Sequence, residues 1–455
     1  MKISIVGTGY VGLVSGACLA DRGHNVVCVD VDKRKVDMIN SGHAPIHELG
    51  LPELLKRNVG VRLSATTDLA AAVADSEITF IAVGTPAVDG RIDLRFVEQA
   101  AAEVGRAMGE KQGYHTLVVK STVIPGTTDG VVRRSAERAS GKVAGQDFGL
   151  GMNPEFLTEG RAIEDFMNPD RIAIGGIDGR SQDVLQKVYA SFDKTPVIRT
   201  NCRTAEMIKY ASNSLLATMI SFSNEIARLC TAVGDIDALD VMRGVHQSLY
   251  LTTYTGNQPP VKAGLSSFLE AGCGFGGSCL PKDVTALIAQ GADLGVATPM
   301  LRAVLDINYQ QPDEMVRLAR QHFPELRGIR VTVLGLAFKP DTDDLRESPA
   351  FPIIQRLRDA GAVVTAYDPV ARPENHPGLL GVRLASSLQD ALQQSQVIML
   401  VTRWQEFEEL DTELAKLKLT PLVVDGRRLL DPAAFSHYEA IGWRPLASAD
   451  LGRPS

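Results

Sequence analysis

Two short segments of this 455-residue sequence carry residues whose types and spacing could do chemistry. One is GCGFGGSCLPKD at 272–283. Glycines crowd the stretch before Cys279, and Pro281, Lys282 and Asp283 then open a helical pattern, VTALIAQ. Proline suits a first helical turn. Cys279 is therefore expected beside a helix N-terminus and close to Lys282, two influences that favour a thiolate. A thiolate can add to an aldehyde, giving a thiohemiacetal that is able to lose a hydride. The thioester that results is hydrolysed by water, so a single thiol can help carry an alcohol carbon through to an acid. The other five cysteines (Cys18, Cys28, Cys202, Cys230 and Cys273) read as ordinary buried thiols.

The second segment supplies a place for the hydride. Gly7, Gly9 and Gly12 form GxGxxG after an apolar strand and at the start of a helical run. One glycine serves a tight turn, one a close approach of backbone to a pyrophosphate, and one helix–strand packing. The next strand ends in Asp30, 18 residues after Gly12. A carboxylate there can accept hydrogen bonds from a ribose 2′-OH and would repel a 2′-phosphate, which favours NAD over NADP. Gly335 also follows a strand, but Leu336, Ala337 and Phe338 break the fingerprint, so no second dinucleotide is expected there.

These residues need elements to position them. Strand-like runs at 3–6, 25–30, 78–83, 117–120, 150–152 and 171–175 alternate with helical patterns at 12–22 and 95–108. Such repetition predicts a parallel sheet with helices on both faces. Residues 204–234 contain no proline and carry Met207, Ile208, Ala211, Leu215, Ala217, Ile220 and Ile226 at helical spacing, which predicts one long helix acting as a spine. A helix is expected at 236–245 and a loop at 249–266. Strands at 328–334, 362–368, 397–401 and 422–425, with a helix at 349–360, then repeat the first pattern. The expected fold is α/β, with two Rossmann-like doubly wound domains joined by a long central helix and a small helical domain. The expected boundaries are 1–202, 203–310 and 311–455.

Composition narrows the class without naming an activity. Lys plus Arg is 47 and Asp plus Glu is 54, a net charge of −7, and so mild an acidity lacks the basic field of a nucleic-acid binder. Hydrophobic residues at 45% and charged residues at 22% are ordinary globular usage. No apolar run reaches the roughly 18 residues of a membrane helix, and the N-terminus reads as a strand and turn, not a signal peptide. Six scattered cysteines without a CxxC pair predict neither disulfides nor a zinc site, nor any other metal, and suggest a reducing, cytoplasmic location.

Taken together, the motifs resemble the UDP-glucose/GDP-mannose dehydrogenases nearly end to end. The resemblance is carried by KISIVGTGYVGLVSG at the start, VGTP at 83–86, KSTVIPGT at 120–127 and NPEFLTEG at 153–160. It continues through EMIKYASN at 206–213, FLEAGCGFGGSCLPKD at 268–283, GLAFKPDTDDLRESP at 335–349 and DGRR at 425–428. It implies NAD as cofactor and oxidation of a nucleotide-sugar C6 hydroxyl to a carboxylate, with UDP-glucose the favoured substrate. It also implies a homodimer through the central helix and a C-terminal domain that holds the nucleotide of the substrate.

By the same resemblance Cys279 is the nucleophile, while Lys209 and Asn213, four apart on one helix face, hold the sugar oxygens. Lys209 would also stabilise an oxyanion. Glu159 would handle the proton of the attacking water, Thr122 would hold an ordered water, and Asp283 would help position it. The implied cofactor residues are Gly7, Gly9, Tyr10, Val11, Gly12, Asp30, Lys35, Thr85, Pro86, Thr122, Glu159, Lys282 and Arg346. The implied substrate residues are Glu155, Phe156, Leu157, Thr158, Glu159, Lys209, Asn213, Phe268, Leu269, Glu270, Ala271, Gly272, Gly276, Lys339 and Arg427.

Two departures stand out. Thr158 occupies a place where the family usually has Arg, and 246–267 replaces its usual Arg-Ile-Gly triplet with a longer segment lacking Arg. GDP-mannose or a UDP-amino sugar are the alternative substrates, and a dinucleotide-sensing regulator is the non-enzyme alternative.

Overall fold

The computed structural model describes residues 1–253, 261–262, 264, 266–373 and 376–443. Part of the 246–267 segment and the end of the expected 311–455 domain thus lie outside the described residues. The chain divides into two compact units, at 1–212 and from 213 onward.

In the first unit the strands are β1 (Lys2–Val6), β2 (Asn25–Val29), β3 (Leu63–Thr66), β4 (Ile78–Ile81), β5 (Ala87–Val88), β6 (Arg91–Ile92), β7 (Thr116–Val119), β8 (Gly149–Met152), β9 (Ile172–Gly176) and β10 (Val197–Thr200). Eight of them form one sheet in the order β10-β9-β8-β7-β4-β1-β2-β3, and β5 and β6 form a separate two-stranded ribbon. Residues of β4, β7 and β8 are buried throughout, as continuous apolar strands covered on both faces must be. Chain order reverses between β1 and β4. Val6 is level with both Val29 and Ile81, so the turn after β1 and the ends of β2 and β4 share one crest. Ligands of open α/β sheets bind at such a crest.

One feature departs from the expected parallel sheet. β9 runs antiparallel to β8, with Met152 opposite Gly175, and β10 follows the direction of β9. A parallel return to a neighbouring strand needs a crossover, usually a full helix. The chain between these strands instead carries one six-residue helix, Ala162–Met167. It leaves β8 and enters β9 at the same end, so the NPEFLTEG segment lies along the crest.

The long helix is Cys202–Val233, 32 residues. In the second unit it is followed by the helix Ala238–His246. The expected loop at 249–266 carries a short antiparallel pair, β11 (Thr252–Thr253) with β12 (Val261–Lys262). The helices Leu280–Asp293 and Pro299–His322 come next. The second sheet is parallel throughout, in the order β15-β14-β13-β16-β17-β18. Its strands are β13 (Arg330–Leu334), β14 (Val363–Tyr367), β15 (Arg383–Leu384), β16 (Val397–Leu400), β17 (Leu422–Asp425) and β18 (Tyr438–Ala440). Its core includes Val331, Val333, Ile353, Ile354, Leu357, Val397, Met399 and Val424.

Candidate active site

The glycine fingerprint makes a built turn. Gly7 has φ +102°, a backbone conformation that side chains rarely adopt, and its N–H donates to the Val29 carbonyl at 2.8 Å. A Cβ on Gly12 would lie 1.9 Å from the Gly7 oxygen, whereas one on Gly9 would enter open space. The helix Tyr10–Asp21 begins without a side-chain cap. Its first amides, at Tyr10, Val11 and Gly12, are therefore available to an anion.

Asp30 lies next to this turn. Its Oδ2 accepts from the Thr8 amide at 2.9 Å and the Thr8 hydroxyl at 2.5 Å, its Oδ1 accepts from the Asp32 amide at 2.9 Å, and Lys35 Nζ is 4.0 Å away. Burial alone would raise its pKa, but these donors and Lys35 hold it below the usual carboxylate range. It stays ionised and half-buried. An uncapped helix start beside a fixed carboxylate fits the pyrophosphate and ribose of NAD. Thr85 and Thr122 are half-buried, and Pro86 is exposed. The Tyr10 hydroxyl is engaged with Glu48 and accepts from the Gly160 amide at 3.1 Å.

Lys209 is buried on the long helix, and its ammonium lies 3.0 Å from Glu155 Oε1. Burial would push Glu155 up, yet Lys209 and the Leu157 amide, which donates to Oε2 at 2.6 Å, keep its carboxyl below the usual range. Phe156 packs under this pair, with the Lys209 amine 5.7 Å and the Arg171 guanidinium 3.9 Å from its ring centroid. Glu155, Phe156, Leu157 and Thr158 line a cavity of about 290 Å³ that also shows Lys120, Asn153 and Arg171. Thr158 is exposed and Glu159 half-buried. Lys120 was absent from the expected site; its one signal is a lysine that follows the apolar run LVV in KSTVIPGT.

In the second unit Cys279 is exposed, and it caps the helix Leu280–Asp293, whose second residue is Pro281. Its carbonyl accepts from the Asp283 amide at 2.9 Å. The buried Asp283 carboxylate accepts from Asn213 Nδ2 at 2.6 Å and Lys282 Nζ at 2.7 Å. The Lys282 ammonium is thus engaged by Asp283. Asn213 lies one turn after Lys209 on the same helix.

The glycines before Cys279 serve packing. A Cβ on Gly276 would lie 2.2 Å from the Glu347 oxygen, and one on Gly277 2.7 Å from the Phe338 ring. Side chains clamp the backbone of this segment. Asn224 accepts from the Gly272 amide at 2.8 Å, Gln311 donates to the Gly272 carbonyl at 2.6 Å, and Asn308 bonds both the amide and the carbonyl of Phe275. Sequence reasoning missed these three. Their signal is polar residues on the buried faces of otherwise amphipathic helices.

The remaining expected residues are spread over the second unit. Arg427 Nε donates to the Val401 carbonyl at 2.6 Å and its guanidinium lies against Gly272. Glu270 is paired with Arg403 at 2.5 Å. Leu269 and Ala271 are buried, while Phe268 and Lys339 are half-buried. Arg346 is exposed and forms a two-pronged pair with Asp344. Asp368, the counterpart of Asp30, is absorbed into the fold: it accepts from the Leu336, Ala337, Val370 and Ala371 amides and from the Trp404 indole.

Three family models match successive stretches of the chain. They are the NAD-binding, central and UDP-binding domains of the UDP-glucose/GDP-mannose dehydrogenase family, at residues 1–193, 203–310 and 332–432. The chain belongs to this family. It is 42% identical to the UDP-glucose 6-dehydrogenase AglM of Haloferax volcanii, over 97% of this chain and all of that one. It is 43% identical to the GDP-mannose 6-dehydrogenase of Pseudomonas aeruginosa, over 81% of each chain. The solved UDP-glucose dehydrogenase of Pyrobaculum islandicum superimposes with a TM-score of 0.87 at 40% identity, over 97% of both chains. This member of the family is an NAD-dependent dehydrogenase, and its substrate is a nucleotide sugar. No helix among its described residues is long and apolar enough to cross a membrane.

Proposed function

We propose that this dehydrogenase oxidises the C6 hydroxyl of UDP-glucose to the carboxylate of UDP-glucuronate in two steps. The observation that carries the covalent route is the exposed Cys279 at a helix N-terminus, ahead of a buried carboxylate bonded to Asn213 and Lys282. NAD, when bound, accepts a hydride in each of the two oxidations.

Cys279 adds as thiolate to the C6 aldehyde, and the oxygen of the thiohemiacetal gains negative charge that Lys209 stabilises. After the second oxidation the thioester is hydrolysed by water, which restores the thiol and releases the acid. Lys209 and Asn213 orient the sugar oxygens, and Asp283 holds Asn213 in position. Thr122 and Glu159 handle the water and its proton. Gly7 to Gly12 and Asp30 hold the cofactor, with Lys35, Thr85 and Pro86 beside them and with Lys282 and Arg346. Glu155 to Glu159, Phe268 to Gly272, Gly276, Lys339 and Arg427 hold the nucleotide sugar.

The domains are 1–202 for the cofactor, 203–310 for the helical centre with the thiol, and 311–455 for the nucleotide of the substrate. The enzyme works as a homodimer in the cytoplasm. Five cysteines buried as free thiols support a reducing compartment.

A panel of nucleotide sugars with NAD, read as absorbance at completion, tests the reading. Two NADH per UDP-glucose are expected. One NADH per sugar, or a preference for GDP-mannose or a UDP-amino sugar, would displace it. Cys279→Ala should form no acid, and a variant at full rate would sink the covalent route.

A further inference from the structure

Two lysines and a carboxylate are buried together in the first unit. Lys209 lies on Glu155 at 3.0 Å. Lys120 follows β7, is 3% exposed, and donates to Asn153 Oδ1 at 3.0 Å. Its amine lies 5.8 Å from the Phe166 ring centroid. Asn153 cannot neutralise an ammonium, and its oxygen already accepts from the Tyr189 hydroxyl at 2.5 Å. The carboxylates across the cavity are committed elsewhere: Asp170 pairs with Arg171 at 2.6 Å, and Asp165 accepts from the Thr158 amide at 2.9 Å. Glu155 pairs with Lys209 and lines the same cavity as Lys120.

Burial, with Lys209 adding to it and Glu155 opposing it, pushes Lys120 down to about 8. Its charge in turn helps hold Glu155 below the usual carboxylate range. Tyr189, the other titratable neighbour, is pushed up by burial and stays neutral.

We propose that Lys120 is a positioning residue whose ammonium charge sets the protonation of the Glu155–Lys209 pair, and with it the pH window in which that pair serves the reaction. This rests on the role given above to Lys209. A positive charge favours the carboxylate of Glu155, and removing it must raise the titration of that carboxyl.

The test is the pH profile of kcat for the full-length enzyme with UDP-glucose and NAD. Lys120→Met and Lys120→Gln should both move the acid limb upward, by on the order of one pH unit. Gln keeps a donor for Asn153 but carries no charge. A lower rate with an unmoved acid limb, or a wild-type acid limb in the Gln variant, would overturn the proposal.

A wild type inactive on every nucleotide sugar would instead refute the functional reading, and thermal unfolding then decides the role of Lys120. Lys120 helps hold the native Glu155 carboxyl below its ordinary value of 4.5, so below that value the unfolded chain binds a proton that the native protein does not, and native stability falls as pH falls. Lys120→Met, whose Glu155 carboxyl titrates higher, should lose less Tm than wild type as pH falls through 4.5. A constant Tm difference would overturn the proposal independently of turnover.

Discussion

Asp30 and Asp368 show how one residue type at one place in two similar folds is put to different use. Each follows the second strand of a Rossmann-like sheet and accepts amides from the turn after the first. Asp368 is 3% exposed and takes an indole N–H as well, so its acceptor capacity is spent inside the fold. Asp30 is only half-buried and lies beside an uncapped helix start. Asp30→Ala should lower kcat/KM for NAD by roughly tenfold or more, the value of a hydrogen bond to a charged acceptor. It should also narrow the preference over NADP, because the repulsion of a 2′-phosphate is lost. The ratio of the two kcat/KM values checks this, and an unchanged ratio would assign Asp30 to the turn alone.

The sequence made the Asp30 turn and Cys279 legible because strand, glycine and helix signals there lie within about twenty residues. Lys120, Asn224, Asn308 and Gln311 were not legible, because their partners lie tens of residues away in the chain.

At the scale of elements, the direction of β9 was the feature periodicity could not give. Buried strands show the same apolar run in either direction, and the short helix before β9 is the one local hint. The long helix was readable in extent, from its apolar spacing and its lack of proline. One device on it was not. Glu206, fully buried, accepts from the Gly126 amide at 2.6 Å and the Thr128 amide at 2.8 Å, tying the helix to the turn that opens the Thr127–Val132 segment. Burial pushes its carboxyl up to about 7 against these two donors. Between its ordinary value of 4.5 and about 7 the native state holds a proton that the unfolded chain has lost. Stability from this group is therefore present below pH 4.5 and falls as pH rises through 7. Glu206→Gln lacks that titration. Unfolding free energies from pH 4.5 to 7.5 should show wild type losing about 3 kcal/mol relative to the variant. Parallel curves would mean that Glu206 titrates near its ordinary value.

For the whole molecule, the question is what covers the exposed apolar side of the long helix. Leu215, Phe222 and Leu229, spaced seven apart, are 60%, 49% and 58% exposed, whereas Ala217 and Ala227 on the opposite side are fully buried. A stripe repeating every seven residues keeps its side chains in register along a packed partner helix. A second copy of the same helix, antiparallel about a two-fold axis, would meet it with the same stripe and give the self-complementary contact of a closed dimer. A charge at the centre of such a contact would be buried without a partner in both copies at once. Phe222→Asp should therefore convert the proposed dimer into a monomer in sedimentation at micromolar concentration, with the circular dichroism of each chain unchanged. Glu225→Gln, one turn further along and also exposed, should leave the dimer intact. A Phe222→Asp protein that sediments like the wild type would exclude this side of the helix as the contact.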